Sequence, residues 1–188
     1  MLRILSNTIV TLIFGVTILQ CATSFDEAQT KQKTIVIFKE FKGELQGELI
    51  KAVNERGAEN SIEVCAKISP EIEAKISKNK GFSMKRISDK NRNPLHAPDE
   101  FEAKILDEWK ASLAKGDKPA VYTQRVGNEF RVLNPIMIDN PTCLQCHGNE
   151  KDIKPETLEK IQLNYPNDKA KGYKLGELRG AMSGTWKI

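Results

Sequence analysis

The sequence predicts one α+β domain with an antiparallel sheet. Its 188 residues suit a single domain. Helical periodicity dominates the first part of the chain, and short strand-like segments dominate the rest, two of them joined by the hairpin signal Gly127-Asn128. The chain has no βαβ alternation and no Gly-rich phosphate loop, which argues against nucleotide binding by a Rossmann or P-loop route.

Residues 1–24 have the features of an export signal. One cation, Arg3, precedes an apolar run over residues 8–19, shorter than the roughly 20 residues that span a bilayer as a helix. Small residues follow, so cleavage before Phe25 is expected, with an uncleaved signal anchor as one alternative. Cys21 and the residues before it also resemble a bacterial lipobox, apart from the preceding glutamine, and a lipid anchor at Cys21 is a second alternative.

The sequence therefore places the mature domain, residues 25–188, in the periplasm or another extracytoplasmic compartment of a bacterium. The net charge is +4, with both signs mixed along the chain. This pattern predicts no nucleic-acid partner and no membrane contact beyond the lipid anchor. A redox partner protein or a membrane sensor is expected.

The mature domain begins with helices. Residues 34–38 are a short apolar, β-branched run, and residues 42–56 place an apolar residue at every fourth position before Gly57, which predicts a helix that ends there. Asn60 and Glu63 have the spacing of a capping box for a second helix.

A third helix and the sheet follow. Ser69 and Pro70 are typical of a helix cap and first helical position, and alternation over residues 82–88 predicts a strand. The remaining predicted elements are a loop at 89–98, a helix capped by Asp99 and ended by Gly116, strands at 120–126 and 130–133 with an extension at 136–138, a short helix near Pro155, and a last strand at 177–186.

The chemistry is concentrated in the run Cys143-Leu144-Gln145-Cys146-His147. C-x-x-C-H is the attachment motif for c-type haem. Two thiols three positions apart can reach both vinyl groups at one edge of the porphyrin, and His147 then lies under the iron as the proximal ligand. Three alternatives are open: a thioredoxin-like dithiol, a zinc site completed by Cys65, and a structural disulfide.

The second axial ligand is open from the residues alone. The candidates are His96, Met84, Met137, Met182 and Cys65. Cys65 lies on an apolar helical side, where a small buried thiol is the ordinary alternative. Thiolate ligation would lower the reduction potential of the iron, because an anionic donor favours the ferric state.

Three stretches resemble the single-haem, c-type, PAS-like domain family of cyanobacteria and other bacteria. They are the helix over residues 61–72 with Cys followed by Pro, the R-N-P and A-P-D loop within residues 86–99, and the C-x-x-C-H-G motif followed by the pattern over residues 165–181. Members occur as exported stand-alone proteins or as the sensor half of membrane histidine kinases.

The resemblance implies a PAS-like sheet flanked by helices and one covalent haem c, with His147 and Cys65 as its axial ligands. His96 falls where members more often have Asn, so an exposed loop histidine is expected there. Arg86 and Arg92 bracket the loop, either as partners of the haem propionates or as surface charges.

Two filled axial positions leave no open site for O2 or peroxide, and no nucleophile–base pair occurs outside the motif. The sequence therefore predicts no enzyme. It predicts a redox or gas sensor in which loss or exchange of Cys65 changes the domain. The alternatives are a low-potential periplasmic electron carrier and, if the motif forms a disulfide, a structural domain without haem.

Overall fold

Four antiparallel strands form one sheet in the order β1-β4-β3-β2 in the computed structural model, which describes residues 25–78 and 81–188. The strands are β1 (Phe82–Ile87), β2 (Tyr122–Val126), β3 (Glu129–Met137) and β4 (Leu178–Lys187). The α-helices are α1 (Glu27–Arg56), α2 (Ser69–Ser77), α3 (Glu100–Ala114), α4 (Leu144–His147) and α5 (Pro155–Asn164). The predicted α+β class is confirmed. The predicted signal sequence, its predicted cleavage site and Cys21 lie outside the described residues.

Helices cover both faces of the sheet. Phe38 and Phe41 of α1 share a buried cluster with Val132 of β3, whereas Ile105 of α3 shares another with Leu133. Val132 and Leu133 are neighbours that enter opposite clusters, as the alternation of a strand requires. The sheet therefore separates α1 and α2 on one face from α3 on the other. None of the described helices is long and apolar enough to cross a membrane.

Helix α1 begins much earlier than the periodicity predicted. The carboxylate of Asp26 caps it by accepting a hydrogen bond from the amide of Gln29 at 2.9 Å. Residues 34–38 therefore continue this helix, because burial of Phe38 against the sheet outweighs the weak helix propensity of β-branched residues. The predicted end is confirmed: Gly57 has φ +82° and its amide donates to the carbonyl of Val53 at 3.0 Å.

The predicted second and third helices form one continuous run, so both predicted caps are wrong. A π-helical segment, Val64–Ile68, leads directly into α2. Asn60 donates to the carbonyl of Arg56 at 2.8 Å instead of capping. Ser69 lies inside the run, and its hydroxyl donates to Glu73 at 3.3 Å. Single π turns within helices are frequent at functional sites.

Helix α3 begins with the predicted cap. The side chain of Asp99 accepts from the amide of Glu102 at 2.8 Å, and Glu102 accepts from the amide of Asp99 at 2.9 Å. Glu102 is fully buried, and it also accepts from Arg131 at 2.8 Å and from Ser183 at 2.6 Å. One carboxylate thus joins α3 to β3 and β4.

Strand β4 contains a bulge opposite the end of β3. Ile136 pairs with Gly180 and Met137 pairs with Leu178, so Arg179 is the extra residue. Gly180 has φ +154°, and a Cβ at this position would overlap the carbonyl oxygen of Ile87. Only glycine fits this turn of the strand.

Candidate functional site

One cavity at the ends of β1, β3 and β4 brings together the predicted haem-binding residues. Its walls come from the C-terminal half of α1, the π-helical segment, the end of β1, the loop that follows β1, the bulge of β4 and the segment around α4. The predicted residues on these walls are Cys65, Arg86, Arg92, Cys143, Cys146 and His147.

The C-x-x-C-H motif lies on a short helical turn with a defined start. The side chain of Asn140 accepts from the amide of Thr142 at 2.8 Å, and a 3-10 turn leads into α4. Cys143 and Cys146 are three positions apart and His147 is four from Cys143, so all three share one side of the turn. This is the arrangement that attachment and ligation of a haem need.

His147 is oriented by a backbone carbonyl. Its Nδ1 lies 2.8 Å from the carbonyl oxygen of Ala170, which can only accept, so Nδ1 carries the proton and Nε2 keeps its lone pair. Burial, followed by the charges of Arg179 and Arg92, holds the pKa of His147 well below 6.5. The ring is therefore neutral at pH 7, which is the form that binds a metal.

The thiols of the motif are not activated nucleophiles. Burial raises the pKa of Cys146 to about 11, and burial also raises the pKa of Cys143. A redox dithiol depends on a lowered thiol pKa, which argues against the thioredoxin-like alternative. Cys65, Cys143 and Cys146 are all free thiols, so the structure contains no disulfide among these three.

The zinc alternative also lacks its geometry. Within residues 25–78 and 81–188, no three His, Cys, Asp or Glu side chains lie close enough together to hold a metal ion. Cys65, on the π-helical segment, and His147, on α4, line the same cavity from different elements. A haem uses such separated donors, because its iron takes one axial ligand from each face.

Arg92 is a buried clamp behind the motif. Its guanidinium donates to both carboxylate oxygens of Asp168, at 3.0 and 3.1 Å, and to the carbonyl of Cys146 at 2.6 Å. It also donates at 3.3 Å to the carbonyl of Ala170, the acceptor of His147. Arg92 thus fixes the backbone that positions the thiol and the imidazole.

Arg86 is also paired at the cavity wall. Its Nε donates to Glu73 at 3.0 Å, and His96 lies 3.3 Å from the other carboxylate oxygen. Burial alone would raise the pKa of Glu73, but the hydrogen bond with His96 and the charge of Arg86 outweigh it and lower the pKa below 4.5. The expectation of an exposed loop histidine is wrong, since the side chain of His96 is only 13% exposed.

Arg179 is a cavity residue that the sequence analysis missed. It lies at the bulge of β4, where its Nη1 donates to the carbonyl of Lys90 at 3.2 Å and its guanidinium lies 5.4 Å from the ring centre of Tyr173. Burial lowers the pKa of Arg179 from its ordinary value. An arginine next to a glycine in a strand of small and apolar residues was the signal available in the sequence.

The candidate methionines occupy different places. Met137 and Met182 line the cavity, whereas Met84 belongs to the cluster between α1 and the sheet. Of the distal-ligand candidates predicted from the sequence, Cys65, His96, Met137 and Met182 therefore line the cavity.

The fold and the site define an α+β, PAS-like domain with a C-x-x-C-H turn and a separate cysteine on one cavity. The chain belongs to the Tll0287-like family, whose model matches residues 16–185. The crystal structure of the cyanobacterial heme-protein Tll0287 matches with a TM-score of 0.68 and 21% identity, over 85% of this chain and 95% of that chain. At this identity the likeness shows the fold. No curated protein matches. The family resemblance predicted from the sequence is confirmed.

Proposed function

We propose that this protein is an exported haem protein with one c-type haem, attached through Cys143 and Cys146 and ligated by His147 and Cys65. One observation carries the proposal: the thiol of Cys65 lines the same cavity as the C-x-x-C-H turn. Membership of the Tll0287-like family and the likeness to a heme-protein support the coarser class of haem protein.

The residues present fit this group. Each motif thiol adds its S–H across a vinyl double bond, so attachment transfers no electrons. His147 offers Nε2, because Ala170 holds its other nitrogen. Phe41, Leu45 and Leu49 of α1 give the cavity an apolar wall against which a porphyrin can lie. When bound, haem supplies a reversible one-electron couple at its iron.

The two axial ligands differ in how firmly they are held, and this difference favours sensing. His147 is fixed by Ala170, whereas the thiol of Cys65 has no hydrogen-bond partner among the described residues and lies on a π-helical turn. A ligand without a support is the one that reduction of the iron or a small gas molecule can displace. We therefore propose a redox or gas sensor without enzymatic activity.

The remaining parts of the proposal rest on the sequence. Residues 1–24 favour export to the periplasm, with a lipid anchor at Cys21 as the alternative. The mixed surface charge favours a protein partner, either a redox protein or a membrane sensor, over nucleic acid.

The test is the absorption spectrum of the full-length protein, exported together with a haem-maturation system, beside Cys65→Ala and Met182→Leu. We expect covalent haem in all three and a ferric thiolate spectrum that only Cys65→Ala loses. An unchanged spectrum in Cys65→Ala would assign the distal ligand to a methionine or His96 and favour an electron carrier. A wild-type protein without haem would refute the proposal.

Carbon monoxide then separates the two roles. Ferrous protein that binds CO with loss of the Cys65 ligand supports a sensor. Ferrous protein that stays six-coordinate and excludes CO supports a low-potential electron carrier, because a carrier needs ligands that do not exchange.

A further inference from the structure

Four cationic side chains line the cavity, and one of them lacks an acidic partner among the described residues. Lys42 pairs with Asp139 at 3.1 Å, Arg86 with Glu73 at 3.0 Å, and Arg92 with Asp168 at 3.0 Å. Arg179 lines the same cavity and forms no ion pair with any described residue.

No other part of the chain can supply the missing charge. Residues 1–24 contain no Asp or Glu, and the two undescribed residues between α2 and β1 are Asn79 and Lys80. The chain therefore holds no further carboxylate for Arg179 beyond those already described.

The groups that do contact Arg179 leave its charge unbalanced. They are the carbonyl oxygen of Lys90 and the ring of Tyr173. Both are uncharged, and Lys90 adds a second cation 4.3 Å from the same ring. Arg179 is only partly exposed, and a cation without an acidic partner at a cavity wall indicates an anion that binds there.

The backbone is shaped to bring Arg179 to this wall. Leu178 and Ala181 are three positions apart, yet both belong to the cluster beneath α3. In an unbroken strand, residues three positions apart lie on opposite faces of the sheet. The bulge adds one residue, so Leu178 and Ala181 share a face, whereas Arg179 and Gly180 lie on the cavity wall. Bulges re-aim side chains in this way beside binding sites.

We propose that Arg179 binds a carboxylate of the ligand in this cavity, and, resting on the proposed function, that this carboxylate is a haem propionate. A guanidinium fork matches a carboxylate in shape as well as charge. Arg86 and Arg92, whose guanidinium groups already bind Glu73 and Asp168, hold the surrounding wall.

The experiment compares full-length, haem-loaded wild type with Arg179→Met, Arg179→Lys and Arg125→Met. Arg125 is half exposed, pairs with Glu27 and lies outside the cavity wall, so its replacement removes the same charge at a distance. Two properties are measured: the propionate bending band in the resonance Raman spectrum, and the midpoint potential at pH 7.

We expect Arg179→Met to shift the propionate band and to raise the ferric-to-ferrous ratio at a fixed potential at least tenfold, which is about 59 mV for one electron. The ratio rises because the freed carboxylate charge stabilises ferric iron. Arg179→Lys should lie between this variant and wild type, since it keeps the charge without the fork. Arg125→Met should match wild type.

A haem-loaded Arg179→Met with the wild-type band and potential would overturn the inference and leave the proposed function intact. If Arg179→Met does not accumulate, Arg179→Lys with an unshifted band overturns it in the same way. Absence of haem from the wild type would instead refute the proposed function.

Discussion

The clamp between Arg92 and Asp168 gives the most demanding prediction. The side chain of Arg92 is 8% exposed and that of Asp168 is 0% exposed, and two hydrogen bonds join them. Arg92→Met would leave the Asp168 carboxylate buried without its cation. Breaking a buried pair in this way costs about 3–5 kcal/mol.

This loss is large beside the total stability of a domain. Typical unfolding free energies are about 5–15 kcal/mol. For a domain of this size, each kcal/mol lowers the melting temperature by about 2–4 °C, so a fall of roughly 6–20 °C is expected. An exposed pair such as Arg125 with Glu27 should contribute no more than about 1 kcal/mol.

The assay is urea unfolding of the haem-loaded protein followed by far-ultraviolet circular dichroism. The variants are Arg92→Met, Asp168→Leu, the double variant, and Arg125→Met as the exposed control. The double variant should be more stable than either cavity single, because it buries no unpaired charge. Arg92→Met should also alter the haem spectrum, since Arg92 shares the Ala170 carbonyl with His147.

The assignment of a buried Arg92–Asp168 pair is refuted by an Arg92→Met variant whose unfolding free energy lies within about 1 kcal/mol of that of wild type. It also fails if the double variant loses the sum of the two single losses, because additivity would mean that the guanidinium and the carboxylate act independently.

Two further predictions concern the bulge of β4 and the loss of stability at low pH. In thermal unfolding, Gly180→Ala should destabilise the protein by about 1–3 kcal/mol, because the added Cβ overlaps the carbonyl oxygen of Ile87. The control Gly43→Ala, in open space on α1, should stabilise the protein by about 0.5–1 kcal/mol. Equal effects of the two substitutions would contradict the bulge. The pKa of Glu73 in the folded protein lies below 4.5, so its contribution to the unfolding free energy is complete above pH 4.5 and is lost as the pH falls through the folded-state pKa. Glu73→Gln should therefore be less stable than wild type at pH 7, and its urea midpoint should fall less steeply as the pH is lowered. An unchanged slope of the urea midpoint against pH would contradict the pairing of Glu73.

Local patterns predicted most of the fold. The Asp99 cap, the hairpin at Gly127 and the end of α1 at Gly57 depend on residues a few positions apart, and all three formed. The start of α1 could not be predicted, because packing of Phe38 against a sheet far along the chain decides it. The π-helical segment likewise has no local signature.

The site divides in the same way. The C-x-x-C-H motif could be recognised in the sequence because attachment and ligation of a haem depend on the spacing of these residues along the chain. The pairing of Arg92 with Asp168 spans 76 positions, and the exposure of Arg179 to the cavity depends on a one-residue shift between strands. Such long-range registers leave no trace in a window of neighbouring residues.

Two backbone bonds form a neck beside the motif. The amide of Gly172 donates to the carbonyl of Gly148 at 2.7 Å, and that of Tyr173 donates to His147 at 2.9 Å. The segment between Gly148 and Gly172 therefore begins and ends at the same place. Doubling the length of a flexible loop raises the free-energy cost of closing it by only about 0.6 kcal/mol. Insertions at the exposed turn around Glu150 would therefore lengthen this segment without displacing the C-x-x-C-H motif. Related sequences should therefore be aligned by the glycines of the neck, not by the number of residues between them.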